Sequence, residues 1–347
     1  MADSSSPQTK KLRTSENDEA SFVLSPEFLR LIFRVKVDAV RTQAKRIFTC
    51  TRSDSVVAVW EGMIKQNISS VPVLQKTKNL YFGYLDIADI VGYFVNFFGE
   101  AQLKDSKDFW ALVNRTEEFR SKKVKDVMSF PLSRRNPFRP VYSGYSLFSA
   151  LEILAREPGL HRVPVIDREQ HLINIITQSQ LVSIVEQHLE IMGTLKDLPL
   201  SHIPTVWTKV LSVKETDTAM SAFNLMAEHH VSGVAVLDDS GDLVSNLSLR
   251  DLKQVSADAS MFWRLFQDVK SFIRHIKDTE AKTKSAVAPR PASIVTATGK
   301  TTLGEAISLL EEHCIHRLYV LDSSTGKLAG VVSLKTILER IIDSPAE

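Results

Sequence analysis

The stretch Thr302-Leu303-Gly304-Glu305-Ala306-Ile307, continued by Ile315-His316-Arg317-Leu318-Tyr319-Val320 and by Gly330-Val331-Val332-Ser333-Leu334, decides the fold. Leu303, Ala306, Ile307 and Leu310 fall at i, i+3, i+4 and i+7, which makes one apolar helical face. Thr302 precedes that face as an N-cap, because its hydroxyl can accept a free backbone N–H. Leu318–Val320 and Leu328–Val332 are short apolar runs around the turn-rich Asp322-Ser323-Ser324-Thr325-Gly326, and they predict two strands. A closing helix follows. One such unit cannot cover both faces of its own small sheet, so it needs a partner.

The chain carries three more copies. The first has Val56, Val59, Trp60, Met63 and Ile64 on a helix, then Ser70-Val71-Pro72-Val73, then Leu80 to Leu85. The second has Leu147, Ala150, Leu151, Leu154 and Ala155, then His161-Arg162-Val163-Pro164-Val165, then Leu172 to Ile176. The third has Ala219, Ala222, Phe223 and Met226, then Ser232-Gly233-Val234-Ala235-Val236, then Leu243 to Leu247. From the last valine of each first strand (Val73, Val165, Val236, Val320), the residue expected to open the closing helix (Asp89, Gln180, Asp251, Thr336) lies 16, 15, 15 and 16 positions on. Agreement of that kind across the chain identifies an internal repeat. The expected fold is α/β, with four repeats arranged as two pseudo-twofold pairs forming a disc.

Composition narrows the function. With 347 residues and 44% apolar content the chain can bury a sizeable core. Its 43 basic and 41 acidic residues nearly cancel, which argues against nucleic-acid binding as the main task. Cys50 and Cys314 show no CxxC spacing and read as reduced thiols of an intracellular, cytoplasmic protein. No run reaches the roughly 20 apolar residues that span a bilayer. Met1–Glu19 is polar, lacks a signal-peptide core and reads as a disordered tail. Within it, Lys10-Lys11-Leu12-Arg13 is a nuclear-import candidate set against a plain solvated charge cluster. A segment at 100–125 reads as a charged helical connector, and one at 270–291, rich in Lys, Ala and Pro, as a mobile loop.

A helix, a His-Arg-x-Pro-Val strand, a turn and a Gly-x-x-Ser/Thr-x-x-Asp close resemble the CBS domain (the cystathionine-β-synthase motif). Leu160 to Asp167 and Ile315 to Leu334 carry the resemblance most fully. Four such repeats with no attached enzyme resemble the gamma regulatory subunit of the AMP-activated, or sucrose-non-fermenting, protein kinase, and within it the plant gamma-like branch. The organisation expected is a tail at 1–20, a first pair at 21–192 and a second at 193–347. The repeats fall at about 40–100, 123–190, 202–268 and 287–343. The resemblance implies adenine-nucleotide binding (AMP, ADP or ATP) in clefts between paired repeats. It also implies a kinase catalytic alpha subunit and a beta scaffold subunit as partners.

The candidate site residues follow from what such a ligand needs. A carboxylate at a helix start can accept ribose hydroxyls, and a Ser or Thr three residues earlier can meet a phosphate with the help of the helix dipole. Repeat three keeps both, as Ser248 and Asp251; repeat one keeps Asp89 but has Asp86 where the hydroxyl belongs, which would repel a phosphate unless a cation intervenes. Repeats two and four keep only the hydroxyls, Thr177 and Ser333, opposite Gln180 and Thr336. They alone carry His161-Arg162 and His316-Arg317, which can donate to phosphate oxygens. The plainer alternatives are a helix cap for each aspartate and a polar strand edge for each histidine. No Ser-His-Asp, Cys-His or paired-carboxylate arrangement stands out. The reading is therefore a non-catalytic regulatory subunit, with a ligand-free adaptor acting only through protein contacts as its rival.

Overall fold

Alternation of short apolar runs with helical faces builds the same sheet four times. In the computed structural model, which describes residues 22–40, 47–78, 80–98, 117–128, 139–254, 262–282 and 293–345, the strands come in threes. They are β1 (Cys50–Thr51), β2 (Ser70–Leu74) and β3 (Tyr81–Asp86); β4 (Val141–Tyr142), β5 (Arg162–Ile166) and β6 (Leu172–Thr177); β7 (Ser212–Lys214), β8 (Gly233–Leu237) and β9 (Leu243–Ser248); and β10 (Thr296–Thr298), β11 (Arg317–Leu321) and β12 (Leu328–Ser333). The first strand of each set runs parallel to the second, because a helix joins them, and the third returns antiparallel through a tight hairpin. Of the leading strands, only two or three residues long, β1 follows on the apolar run Arg46-Ile47-Phe48-Thr49-Cys50, which reads as extended, and the other three have no counterpart in the sequence reading.

The register confirms the repeat alignment. Val73, Val165, Val236 and Val320 face Cys50, Val141, Val213 and Ala297 on one side and Gly83, Asn174, Ser245 and Gly330 on the other. The register shifts immediately after each of these valines.

The helices are α1 (Pro26–Arg34), α2 (Val56–Lys65), α3 (Ile87–Phe98), α4 (Leu147–Arg156), α5 (Gln178–Glu186), α6 (Ala219–His229), α7 (Val269–Lys282), α8 (Leu303–Glu312) and α9 (Leu334–Asp343). The closing helices start two residues before the positions the spacing predicts, at Ile87, Gln178 and Leu334, and repeat three closes with a 3-10 turn, Leu249–Gln254. Asp89, Gln180, Asp251 and Thr336 are therefore third-position residues. Each accepts a hydrogen bond from the backbone N–H that ends the preceding strand, at 2.9, 2.9, 2.7 and 3.3 Å. In repeats two and four the Thr177 and Ser333 hydroxyls accept in return from the N–H groups of Gln180 and Thr336, the reciprocal capping arrangement that satisfies a helix's free N–H groups.

Two large cores hold the repeats together, and each crosses the sequence order. One joins repeats one and three, with Trp60, Phe94 and Phe119 against Phe223 and Phe272. The other joins repeats two and four and takes in the N-terminal segment through Leu24, Phe28 and Ile32. Sheet-to-sheet contact instead runs between repeats one and two, where Leu74, Tyr81, Tyr84 and Ile166 form a small third cluster. Asn174, at a position where repeats one and four carry glycine, is buried and ties the N-terminal segment down. Its Nδ2 donates to the carbonyls of Val37 and Val40, at 3.1 and 2.7 Å.

One expectation changes. The segment at 270–291 is not a loop over its first half, because α7 covers Val269–Lys282. Val269, Phe272, Ile273 and Ile276 lie at helical spacing and are buried in the first core. Residues 283–292, the tail at 1–20 and most of the 100–125 connector lie outside the described residues. No helix among the described residues is long and apolar enough to cross a membrane.

Phe272 is 1% exposed and meets Phe223 edge-to-face, with ring centroids 6.0 Å apart. Phe272→Ala should cost about 3–5 kcal/mol in a urea denaturation series, the range for truncating a buried aromatic. A loss under about 1 kcal/mol, the size of an ordinary surface change, would show that this segment does not hold the core.

Candidate anion-binding site

Hairpin pairing places the site. At the start of each central strand stand Ser70, Arg162, Gly233 and Arg317, directly opposite Asp86, Thr177, Ser248 and Ser333 at the end of the third strand. Small residues in repeats one and three thus alternate with arginines in repeats two and four. Each arginine reaches across to the neighbouring repeat of its pair.

The two crossings end differently. Arg162 Nη2 lies 3.2 Å from Asp86 Oδ2, both side chains being largely buried, and its guanidinium sits 6.0 Å from the centre of the Tyr84 ring. The cation that a carboxylate at position 86 requires is therefore supplied from within the chain. Arg317 reaches repeat three, where its Nη2 donates to Ser232 Oγ at 2.6 Å. It lies flat on Gly233: a Cβ there would stand 1.8 Å from Nη1 and 2.8 Å from the Leu247 carbonyl oxygen. Gly233 is thus the residue that lets the guanidinium in. Among the described residues no carboxylate forms an ion pair with Arg317.

The histidines stand beside the arginines, deep in the assembly yet with solvent-exposed rings, as expected for the wall of a wet cleft rather than a packed core. Gln178 donates through Nε2 to the carbonyls of Leu154 and Leu160, so its Oε1, 3.2 Å from His161 Nδ1, is the acceptor. His161 accordingly donates from Nδ1. His316 Nε2 is 3.2 Å from Ser179 Oγ, a contact joining repeats four and two. Burial, then the charges of Arg250 and Arg317, push the His316 pKa down to about 3. Burial also lowers that of His161, with Asp86 and Gln178 opposing and Arg162 and Arg317 adding to the shift.

The four strand-start side chains do converge, as their mutual electrostatic influence shows. They are not four cations, however. At neutral pH they are two guanidinium ions and two neutral imidazoles.

The sequence reading missed two further basic groups, Arg250 and Lys253, on the 3-10 turn that carries Asp251. Both face this cleft. Burial, followed by Arg250 and Arg162, brings Lys253 down to about 7, with Asp86 opposing. Their place beside Asp251 was the available signal.

Of the predicted residues, the structure brings Arg317, Ser248 and Asp251 together in the second pair. Ser248 is the hairpin partner of the glycine under Arg317, and its N–H and hydroxyl both donate to Asp251 Oδ2, at 2.7 and 3.1 Å. Arg162 and Asp89 meet around Asp86 in the first pair. Thr177 and Ser333 are engaged in their own helix caps, with Gln180 and Thr336. Asp89 is 2% exposed, and burial together with Asp86 raises its pKa to about 8, so at neutral pH it is largely the neutral acid.

The CBS domain pattern matches residues 39–96, 124–187, 200–258 and 289–343, more than half of the chain. The chain belongs to the CBS-domain family. Its CBS repeats are 28% identical over 251 residues to the SNF1-related protein kinase regulatory subunit gamma-1-like of Arabidopsis thaliana, covering 70% of this chain and 54% of that one. Against Protein SDS23 of Candida albicans the identity is 25%, over 82% of this chain and 48% of the relative. The 5'-AMP-activated protein kinase subunit gamma-3 of Sus scrofa is 23% identical over 89% of this chain and 56% of its own. The chain thus spans about half the length of these curated relatives. A Methanocaldococcus jannaschii protein described as an archaeal homolog of g-AMPK shares the fold at a TM-score of 0.66 and 14% identity, over 88% of this chain and 99% of its own.

The Asp89 shift has a definite sign. A carboxyl raised from 3.8 when unfolded to about 8 when folded contributes stability below 3.8 and loses it as pH rises through about 8. Asp89→Asn keeps the cap acceptor without the charge. The thermal midpoint of the variant minus that of the wild type should therefore grow from pH 4 to pH 8. A difference independent of pH would show that Asp89 is ionised throughout.

Proposed function

We propose that this chain is a non-catalytic, gamma-type regulatory subunit of a serine/threonine protein kinase, and that its second CBS pair binds an adenine nucleotide. The observation that carries the reading is the Arg317 guanidinium, laid on Gly233 beside the Ser248–Asp251 cap and facing no internal carboxylate among the described residues. Burying a guanidinium without a counter-ion is unfavourable, and a phosphate group would supply one with matching fork geometry.

In this reading Arg317 holds the phosphate. His316, Ser232 and Ser248 add neutral hydrogen bonds, and Asp251 accepts from the ribose hydroxyls. Arg250 and Lys253 contribute positive potential over the same cleft. The names of the plant and animal relatives support the kinase setting, and a catalytic alpha and a beta scaffold subunit are the partners this reading proposes. The chain leading into β1 is held in place by the fold itself. Cys50 and Thr51 are already paired to β2, and Phe48 packs into the first core.

Calorimetric titration with AMP, ADP and ATP tests the reading. Arg317→Ala should weaken binding by about 1.5–3 kcal/mol, the range for a hydrogen bond to a charged group. His316→Ala should weaken it less, and Arg162→Ala little, because Asp86 already engages Arg162. Absence of binding by the folded wild type, together with co-purification of a kinase catalytic chain, would establish the ligand-free adaptor instead.

A further inference from the structure

The residue ending the third strand is a hydroxyl in three repeats (Thr177, Ser248, Ser333) and a carboxylate in one, Asp86. That carboxylate has both oxygens engaged. Oδ1 accepts the Ala88 N–H at 2.9 Å, and Oδ2 meets Arg162 at 3.2 Å. In the second pair the equivalent residue, Ser248, turns its hydroxyl to Asp251, and the equivalent guanidinium, Arg317, finds among the described residues the Ser232 hydroxyl and no carboxylate. The pairs thus share one frame and differ in whether the crossing arginine meets an anion of the chain.

Two further groups mark the first pair. Ser70, the hairpin partner of Asp86, and Tyr84, whose ring lies beside the Arg162 guanidinium, have buried oxygens, Oγ and Oη, with no hydrogen-bond partner among the described residues. Buried hydroxyls are normally satisfied, so the surroundings of the ion pair hold more hydrogen-bonding capacity than Asp86 uses.

We infer that Asp86 is a built-in anion that fills the phosphate position of the first CBS pair, leaving the chain one exchangeable anion site, at Arg317. Replacing Asp86 by a hydroxyl residue converts the first pair into a second site for a phosphate monoester. There Arg162 becomes the principal donor, with Ser70 and Tyr84 able to add hydrogen bonds. The variant recreates in repeat one the Ser-x-x-Asp order of Ser248–Asp251. Position 86 therefore sets how many ligands the subunit takes. This inference rests on the nucleotide reading for the second pair but makes its own claim about the first.

The test is calorimetry of the full chain with AMP, using wild type, Asp86→Ser and the double variant Asp86→Ser/Arg162→Ala, with folding checked by circular dichroism. Asp86→Thr, matching Thr177, replaces Asp86→Ser if the latter does not fold. The wild type should bind about one equivalent and the hydroxyl variant about two, and the double variant should return to about one. A folded hydroxyl variant that stays at one equivalent overturns the inference and leaves the nucleotide reading intact, and a wild type that already binds two overturns it as well. A wild type that binds none beside a hydroxyl variant that binds one overturns the nucleotide reading and with it the site at Arg317, and sustains only the role of Asp86 in the first pair. If neither binds AMP, both fall.

Discussion

Three short strands and two helices make too little structure to bury their own apolar surface, and most of this molecule follows from that deficit. Each repeat has one sheet face for its own helices and another for a neighbouring sheet. Its helices in turn keep an apolar side that needs a second repeat. The chain meets these needs with different neighbours. Sheets meet between repeats one and two, whereas the large cores join one to three and two to four. Repeats one and two are therefore fixed from two directions, the Arg317–Ser232 crossing ties repeat four to repeat three, and the strand starts of all four are brought to the same interior.

Electrostatics at that interior follows from the geometry. Side chains at equivalent places must project toward equivalent neighbours, so an arginine in every repeat would crowd like charges together. The chain places arginines in repeats two and four, opposite small residues in repeats one and three. The remaining positive charge is limited by neutral histidines and by a lysine brought down to about 7. What is left is a wet cleft with a few fixed charges, one of them matched inside the first pair and another unmatched in the second.

Much of this was legible in the sequence, and the rest was hidden for identifiable reasons. The valine that anchors each repeat was visible, because burial on both faces of a central strand demands apolar residues in a fixed frame, and the observed register repeats at those four valines. Leading strands of two or three residues carry no periodicity to detect. The helix over Val269–Lys282 did carry it, in Val269, Phe272, Ile273 and Ile276, but a surrounding excess of lysine and alanine directed attention to composition. The alternate arginines were plain, yet not the partner of Arg162, since Asp86 lies in another repeat and only the fold brings them together. The histidines looked like cations because sequence does not show how deep in the assembly they stand or the arginines around them.

The crossing of the cores also bears on synthesis. A ribosome releases repeat one long before the helix that must cover it: Val56 precedes Ala219 by 163 residues. At roughly 5–20 residues per second that interval is on the order of ten seconds. Throughout it, the helical faces of repeats one and two have no native cover and resemble the apolar surfaces that chaperones bind. Sheet contact between these two repeats can form early and hold them in register, but neither large core can close until the second half of the chain emerges. The order of repeats along the chain thus makes this protein a late folder, whose assembly is gated by translation of its own C-terminal half.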